Sequence, residues 1–474
     1  MKIVVGFVLF SLFFFGDNKL IASSSDSTKI LTFDDFLELV LRNHPVAQQS
    51  ELLDDKAKQE LRVSRNGFDP YVYSKYNKKQ FEGKNYYSLW ETYLTIPTWF
   101  GTSFKTGYEE DFGINLNLDN LVPSQGLSYI GLSSSLLQGL VIDERRAILR
   151  QAQFFPKLAE AEKVKLLNKL LLNAAKEYWE WWFHYKKLQQ YVVGYNFADI
   201  RFKATLERAK QGDLSMIDTV EAIMQMQNIE VLRNQSELDY KNSSLMLSNF
   251  LWNTDKTPLE INQLIIPDST EIGIQSISKQ SLDSLVSFAI INHPEIVKLE
   301  TKIKQLEIER RLVINKILPK LNVDYGLQQR GFYNQPNVEP INYNFNNFKI
   351  AATFSTPIFL RAERGKLQLT KLKLQDSRFE FKQTNREVIN SVYSSYNEYT
   401  TLEKLIIIQQ KLVQNSDKLR IAEQTRFDNG ESSLFLVNTR DMALINSRIK
   451  LFELETKYQK SKNTISWSAG KMLR

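Results

Sequence analysis

The chain uses one short segment twice. The tripeptide Asn43-His44-Pro45 recurs as Asn292-His293-Pro294, and the same gapless offset carries Pro70 onto Pro319. Each copy therefore holds a short helical stretch, a helix start marked by proline and a second proline further along. Two copies at this separation predict two halves of one architecture rather than a solenoid.

Composition and charge exclude several classes of protein. Apolar residues make up 43% and charged residues 24% of the 474 residues, as in folded proteins. The net charge of +7 is spread among mixed signs, so the charge pattern indicates a solvated surface and no nucleic-acid partner. The chain has no cysteine and only three histidines, which rules out thiol chemistry and argues against a metal cluster. We expect no metal and no cofactor.

The first 22 residues predict export. Lys2 supplies the positive charge of a signal peptide, residues 3–15 form an almost unbroken apolar run, and Ala22 lies among small residues that suit cleavage. That run is too short to span a bilayer, and no later stretch reaches the roughly 18 apolar residues of a transmembrane helix. We infer that any insertion into a membrane must use strands.

Strand patterns follow the second proline of each copy. In the second copy apolar residues alternate with polar ones for about ten residues, the length of a transmembrane strand. These apolar residues are Leu321, Val323, Tyr325 and Leu327. The patterns predict strands over about 70–138 and 320–357, although a half-buried sheet in a soluble domain would show the same alternation.

Two segments between these strands are interpreted as exposed loops. Residues 86–108 are rich in aromatic side chains, which suit a membrane interface. This segment has room for an extra hairpin. The corresponding segment of the second copy, residues 331–347, is shorter and rich in asparagine and proline.

Each copy then has a long proline-poor stretch that predicts a helical hairpin. In the first copy apolar residues follow a heptad seam from Val164 to Val192. A continuous helix over 145–210 would be on the order of 100 Å long, with a kink near Pro156. Gly212-Asp213 and Gly430-Glu431 mark the turns, after which we expect return helices to about Leu251 and Ala469.

These patterns divide the chain. We expect a signal peptide at 1–22, a first structural repeat at 23–252, a linker at 253–278 and a second structural repeat at 279–474.

The order of elements resembles the TolC-like outer membrane efflux protein family over nearly the whole mature chain, from about Leu31 to Leu473. The two Asn-His-Pro segments stand at helix starts, Leu318-Pro319 stands where the family begins a strand, and residues 355–359 (Ser-Thr-Pro-Ile-Phe) stand where strands turn into the long helix. Gly430-Glu431-Ser432-Ser433 resembles the family's tip motif. The first copy departs from the family because residues 136–139 (Leu-Leu-Gln-Gly) lack the usual proline.

The resemblance implies a mainly helical, internally duplicated fold. It implies a homotrimer in which each subunit gives four strands to a shared twelve-stranded β-barrel, continued by a coiled-coil α-helical barrel across the periplasm. The place would be the outer membrane of a Gram-negative bacterium. Independently of the resemblance, a few strands per chain cannot close a membrane barrel, so strands in lipid require oligomerisation.

The resemblance also implies a function and its residues. The chain would be a passive export duct that receives cargo from an inner-membrane pump of RND or ABC type through a periplasmic adaptor protein. The adaptor would contact the hairpin tips. Acidic residues beyond the tips would line a periplasmic aperture that favours cations. The candidates are Gly212, Asp213, Gly430 and Glu431 for adaptor contact, and Asp218, Glu221 and Asp441 for the aperture, with Asn438 standing close to where an aspartate would be expected.

The sequence is also compatible with two other classes of protein. An exported coiled-coil scaffold without a pore accounts for the heptads but not for the paired strands or the duplication. An enzyme is not expected, because pairs such as Asp143-Glu144 and Glu363-Arg364 have no nucleophile, phosphate-binding loop or metal spacing beside them. The repeated histidines precede helix-starting prolines, which indicates capping or packing, and His184 is interpreted as a packed helix residue.

Overall fold

Each half of the chain folds into short helices, strands and a long helical hairpin. The computed structural model describes residues 29–117, 121–261, 265–270, 273–331 and 342–472, and the predicted signal peptide lies outside them. The first half contains β1 (Lys29–Leu31), α1 (Phe33–Asn43), α2 (Pro45–Val63), β2 (Tyr71–Phe81), β3 (Lys84–Pro97), β4 (Thr102–Phe112), β5 (Leu127–Ser135), α3 (Glu144–Ala152), α4 (Phe155–Lys210) and α5 (Met216–Ser248). The second half contains β6 (Ile265–Pro267), α6 (Lys279–Asn292), α7 (Pro294–Asn315), β7 (Lys320–Arg330), β8 (Phe348–Ser355), α8 (Arg361–Asp428) and α9 (Leu434–Ser468).

The repeated tripeptide sets the same helix boundary in both halves. His44 ends α1 and starts α2 with φ −65° and ψ 134°, and His293 does the same between α6 and α7 with φ −62° and ψ 129°. These extended angles interrupt the helix, and the following proline suits the first helical turn because that position needs no N–H donor. Both predicted helix pairs are confirmed.

The long helices span most of the molecule. At 1.5 Å per residue, the 56 residues of α4 extend about 84 Å and the 68 residues of α8 about 102 Å. The expectation of one helix over 145–210 is corrected, because residues 153–154 separate α3 from α4. Pro156 has no N–H to continue the ladder of α3, so the chain restarts a helix with proline in its first turn.

The helices pack side by side in a row. Near the strands the order is α2, α4, α7, α8, and near the hairpin turns it is α5, α4, α9, α8. The two long helices therefore run through both parts of the row. Towards the turns, α5 and α8 lie at its two ends.

Among the residues that the structure describes, six strands form one antiparallel sheet in the order β2, β3, β4, β5, β7, β8. Among the described residues, strand pairing between the two halves of the sheet runs through β5 and β7, where Gly131 lies opposite Gly326. A separate parallel pair joins β1 to β6, so the N-terminal segment is held to the stretch that connects the two halves.

The strand number differs from the expected four per subunit. The segment 86–108, interpreted as an exposed loop, contributes to β3 and β4. Aromatic residues on both faces, such as Tyr87 and Trp90, hid the alternation in this segment from the sequence pattern. In the segment 331–347 of the second half, residues 332–341 lie outside the described residues.

The largest buried core lies midway along the helices. Trp181 and Tyr178 of α4 are almost completely buried against Phe36 and Val40 of α1 and Leu247 of α5. The Tyr178 hydroxyl donates to the Leu31 carbonyl at 2.8 Å, which satisfies its polar end. The predicted heptad seam is thus buried in the middle of α4, whereas Val192 at its end is exposed.

None of the helices among the described residues combines the length and apolar character needed to cross a bilayer.

Candidate functional site

Both hairpins turn by the same backbone motif. Gly212 and Gly430 have φ of 84° and 80°, the left-handed conformation that glycine adopts without strain. The Asp213 N–H donates to the Arg208 carbonyl at 3.0 Å, and the Glu431 N–H donates to the corresponding carbonyl of α8 at 2.8 Å. The four residues expected at the tips therefore lie in two equivalent exposed turns.

Serine restarts the helix after each turn. The Ser215 hydroxyl accepts from the Ile217 N–H, and Asp218 accepts from the Ser215 N–H at 3.1 Å. Ser433 caps α9 in the same way, through the Leu436 N–H. Asp218, an aperture candidate, is therefore engaged in capping its own helix.

Apolar side chains next to the tips were not among the expected site residues. Met216, Ile217 and Phe435 are 67%, 75% and 61% exposed at the first turns of α5 and α9. The structure brings Ile217 and Phe435 to one groove with Glu221 and Asn438, two aperture candidates. Their signal in the sequence was a pair of apolar residues directly after each capping serine, a position where a solvated helix start favours polar residues.

Asp441 is paired across the two halves. Arg201 of α4 forms an ion pair with Asp441 of α9 and donates to the Asn438 side chain at 3.0 Å. The Arg201 and Asp441 side chains are 20% and 18% exposed. Asp441 and Asn438 are among the residues expected from the sequence, whereas Arg201 is not, because its partners are 237 and 240 residues away and no local pattern links them.

Further charges surround this pair. Asp417 of α8 lies 3.3 Å from Arg420 and 3.9 Å from Arg448, and all three line the same cavity as Arg201 and Asp441. With three arginines and two aspartates, the cavity has a net positive charge from these groups. The network holds α4, α8 and α9 together about three turns above the hairpin tips.

Glu423 fixes the second hairpin. Its carboxylate accepts from the Ser432 hydroxyl at 2.6 Å and lies 3.8 and 3.7 Å from the Arg426 and Arg440 guanidinium groups. The hydrogen bond from Ser432, followed by the two arginines, holds the pKa of Glu423 below its ordinary value. Glu423 therefore carries a negative charge at neutral pH that ties α8 to its turn and to α9.

The six-stranded sheet has one apolar and one polar face. Residues directly opposite each other on paired strands share a face of the sheet, so the register assigns each strand residue to one of the two faces. The apolar face carries Val72, Tyr76, Trp90, Leu94, Ile96, Phe104, Tyr108, Ile130, Leu132, Leu321, Val323, Tyr325, Leu327, Phe348, Ile350 and Phe354. The polar face carries Lys75, Glu91, Lys105, Glu109, Asp111, Asp324 and Lys349.

The polar face is concave in part and carries ion pairs. Lys105 lies 3.5 Å from Asp324, and Lys349 lies 3.4 Å from Glu109. These residues line one shallow cavity together with Tyr129. A sheet with apolar side chains on one face and ion pairs on the other suits a wall between lipid and water.

The histidines have structural environments. The His44 ring accepts from the Val46 N–H at 3.1 Å and stacks on Phe250, which confirms the capping interpretation for this copy. His293 packs beside Gly470, and burial lowers its pKa below the ordinary value. Within the ranges that the structure describes, no group of acidic or histidine side chains could hold a metal ion.

Residues 285–471 match the model of the family described as outer membrane efflux protein. No curated protein matches the chain in sequence.

Solved structures match over nearly the whole chain. The Campylobacter jejuni CmeC outer membrane channel has a TM-score of 0.63 at 13% identity, with 92% of this chain and 85% of that chain covered. The outer membrane protein VceC of Vibrio cholerae gives 0.64 at 13% identity, covering 93% and 96%. The open state of the Neisseria gonorrhoeae MtrE outer membrane channel gives 0.63 at 11% identity, covering 96% and 94%.

At these identities the likeness establishes the fold, in which helices and a curved sheet are joined as in TolC-like channels. Together with the family match in the second half, this fold explains why the sequence is duplicated: each copy forms one half of a single architecture. Residues 285–471 thus match the outer membrane efflux protein family, and the chain as a whole has the fold of solved outer membrane channels.

Proposed function

We propose that the chain is the outer membrane channel subunit of a tripartite efflux or type I secretion system. It forms a passive duct from a periplasmic adaptor and an inner-membrane pump of RND or ABC type to the exterior. The observation that carries this function is a sheet with one apolar and one polar face, joined directly to helices about 84 and 102 Å long. A lipid-facing wall on top of such helices fits a conduit that crosses an outer membrane and a periplasm.

Apolar stripes on the two end helices support assembly into a homotrimer. On α5, four residues at heptad spacing are more than half exposed: Met224, Val231, Leu238 and Leu245. On α8, three residues at heptad spacing are 42–48% exposed: Leu405, Leu412 and Leu419. Because these helices lie at opposite ends of the row, α5 of one subunit meets α8 of the next in a closed ring.

The adaptor-binding surface belongs to the tips in this proposal. The exposed turns at Gly212-Asp213 and Gly430-Glu431 flank the groove that contains Ile217 and Phe435. An apolar groove with a polar rim suits a helical hairpin from a partner. Glu221 lies in that groove, at the end of the tunnel where an aperture would be set.

Opening of the aperture involves the pair between the two halves. Arg201 and Asp441 join α4 to α9 within one subunit, so the tips separate only when this contact is broken or rearranged. We retain Asp441, Asn438, Glu221 and Asp218 as aperture residues, with Asp218 acting through the position of α5. The division into repeats at 23–252 and 279–474 remains part of the same proposal.

The alternative is an exported coiled-coil scaffold. The stripes on α5 and α8 would serve such a scaffold equally well, but the apolar face of the sheet would then remain in water. The sheet therefore favours the channel.

The function is tested by single-channel recording of the detergent-purified protein in a planar bilayer. We expect discrete conductance steps from a trimeric species. A soluble protein that never inserts, with helices intact by circular dichroism, would contradict the channel and favour the scaffold.

A further inference from the structure

We propose that each subunit contributes six strands to the membrane barrel, so that three copies close an eighteen-stranded barrel. This inference rests on the proposed trimeric channel. The interaction surface is the pair of sheet edges, and the partner is a second copy of this chain. The resemblance implied four strands per subunit and twelve in the trimer, so the inference concerns this chain's own departure from that arrangement.

Hydrogen-bonded pairing runs without a break across the sheet. β3 pairs with β2 from Thr95 opposite Tyr71 onwards, and β4 pairs with both β3 and β5 over their lengths. The β2–β3 hairpin, which exceeds the expected four strands, therefore belongs to the same hydrogen-bonded sheet as β5, β7 and β8. Detaching it would break the pairing of β3 with β4 from Ser88 opposite Phe112 to Pro97 opposite Ser103, and β4 would then need a new partner strand in the next subunit.

The apolar face continues over the additional strands. Val72 and Tyr76 of β2 are 72% and 62% exposed, and Trp90 and Ile96 of β3 lie on the same face. This face matches that of β8, where Ile350 is 60% exposed. The six strands have 8–14 residues each, close to the 9–11 residues of a typical transmembrane strand. The first hairpin therefore carries a membrane-facing surface of its own.

The turn between β3 and β4 is anchored at the base of the sheet. Trp99 stacks on Phe68 with ring centroids 4.8 Å apart, and the Arg145 guanidinium lies 5.8 Å from the same phenylalanine ring. Next to this turn, Arg146 at the start of α3 fits closely against Gly101. These contacts place the turn at the level where strands give way to helices, as expected for a strand pair inside the barrel wall.

The two edge strands of the sheet, β2 and β8, are able to pair with each other between neighbouring subunits. β2 starts and β8 ends at the base, and both strands are exposed along nearly their whole length. With an even number of antiparallel strands, β8 of one subunit runs antiparallel to β2 of the next. Two six-stranded sheets could close on twelve strands, but a trimer requires eighteen.

The consequence is a wide exit. With strands about 4.8 Å apart and tilted about 40°, the backbone diameter is about 36 Å for eighteen strands and about 24 Å for twelve. The barrel would therefore not select cargo by size, and selection would pass to the narrower helical end.

Disulfide cross-linking separates the two arrangements, since the chain has no cysteine of its own. In the eighteen-stranded barrel, Tyr73→Cys of β2 lies beside β8 of the next subunit, on the polar face and near the base. It is combined in turn with Ala351→Cys, Thr353→Cys or Ser355→Cys, to cover the possible registers. We expect one of these pairs to give a covalent ladder up to the trimer after oxidation in membranes.

The alternative uses β4 as the edge. If the β2–β3 hairpin lies outside the barrel, Ser103→Cys with Thr353→Cys gives the ladder and the Tyr73 pairs do not, which would overturn the inference. A trimer in which no Tyr73 pair cross-links would overturn it as well.

A matched control uses neighbours within one subunit. Ser135 and Asn322 are hydrogen-bonded at 2.7 Å, so Ser135→Cys with Asn322→Cys forms a bond without a ladder. If this control oxidises and native mass spectrometry finds only monomers, the proposed channel fails together with the inference. A trimer by mass without Tyr73 cross-links would overturn only the strand count.

Discussion

Arg201 is the residue that links the two halves of the chain near the tips. Its guanidinium pairs with Asp441 and donates to Asn438 in a site of which only about a fifth is exposed. A hydrogen-bonded pair in such a site contributes more than a solvated surface pair. Single residues of this kind could be predicted from the sequence only in part, because Asp441 follows a recognisable tip whereas Arg201 follows no local motif.

Substituting Arg201→Ala is expected to lower the free energy of unfolding by about 1–3 kcal/mol, because Asp441 loses its charged partner. In bilayers the same variant should spend more time in conducting states, since α4 is no longer held to α9. Single-channel recording at fixed voltage measures this open fraction.

Lys203→Ala is the matched control. Lys203 also lies on α4 and pairs with Asp199 at 2.7 Å, but its side chain is 71% exposed and bonds only within its own helix. Its open fraction should equal that of the unsubstituted protein. Equal effects of the two substitutions would mean that the pair does not hold the tips.

His293 makes stability depend on pH. Burial lowers its pKa below the ordinary value of about 6.5, against the opposing influence of Glu295, and Lys165 lowers it further. Below pH 6.5 the unfolded chain therefore binds a proton that the folded chain does not, and stability falls until the folded pKa is reached.

In His293→Asn, part of this loss should disappear, because asparagine caps a helix without titrating. Thermal unfolding at pH 8 and pH 5.5 measures the difference. Burial also lowers the pKa of His44, so a smaller pH-dependent loss should remain. A variant with the full acid-dependent loss would show that His293 is not its source.

The hairpin turns act at the scale of the element. Both use a glycine with positive φ, a capping serine three residues later and the same pair of backbone hydrogen bonds. This equivalence could be predicted from the duplicated sequence, because helix caps depend on residues within one turn of the helix. The long helices were predictable for the same reason, since their heptad period extends over dozens of residues.

The strands were less predictable. In β7 apolar and polar residues alternate strictly, whereas in β3 Tyr87, Leu89 and Tyr93 lie on the polar face opposite the face of Trp90. Aromatic residues on both faces remove the period-two signal, so the sequence favours an exposed loop with room for an extra hairpin over residues 86–108. The number of strands depends on pairing between distant residues, which local periodicity does not contain.

Gly430→Ala tests the turn. Alanine at φ 80° should lower the free energy of unfolding by about 1–2 kcal/mol, because the left-handed conformation strains its Cβ. No atom lies within 4 Å of the added Cβ, so the loss measures backbone strain alone. Urea unfolding in detergent gives the value.

Gly365→Ala is the opposite case and the control. Gly365 lies inside α8 with equally free surroundings, and alanine there should raise the free energy of unfolding by about 0.5–1 kcal/mol. A gain at Gly430 as well would contradict the turn geometry.

A single chain leaves two kinds of surface uncovered. The sheet has two free edges, and the end helices α5 and α8 carry exposed apolar stripes at heptad spacing. Both features are satisfied when neighbouring copies close a ring. The sequence indicated oligomerisation through the strand number, but it could not identify which helices lie at the ends of the row.

The double substitution Val231→Lys with Leu238→Lys should prevent the trimer, because it places two charges in an apolar helix interface. Native mass spectrometry and circular dichroism together should find a helical monomer. Glu237→Lys is the control, since Glu237 is exposed on the same helix but lies about 100° around the helix axis from the stripe. Trimers of the double variant at unchanged yield would exclude α5 from the interface.

The central claim is that three copies enclose a single conduit through the sheet and the helices. Electron cryo-microscopy of the full chain in lipid nanodiscs tests it most directly. We expect a threefold particle with a closed barrel in the lipid disc, the apolar face outward, and a continuous lumen leading down to the helical tips. Separate helical rods with open sheets outside the lipid would contradict it.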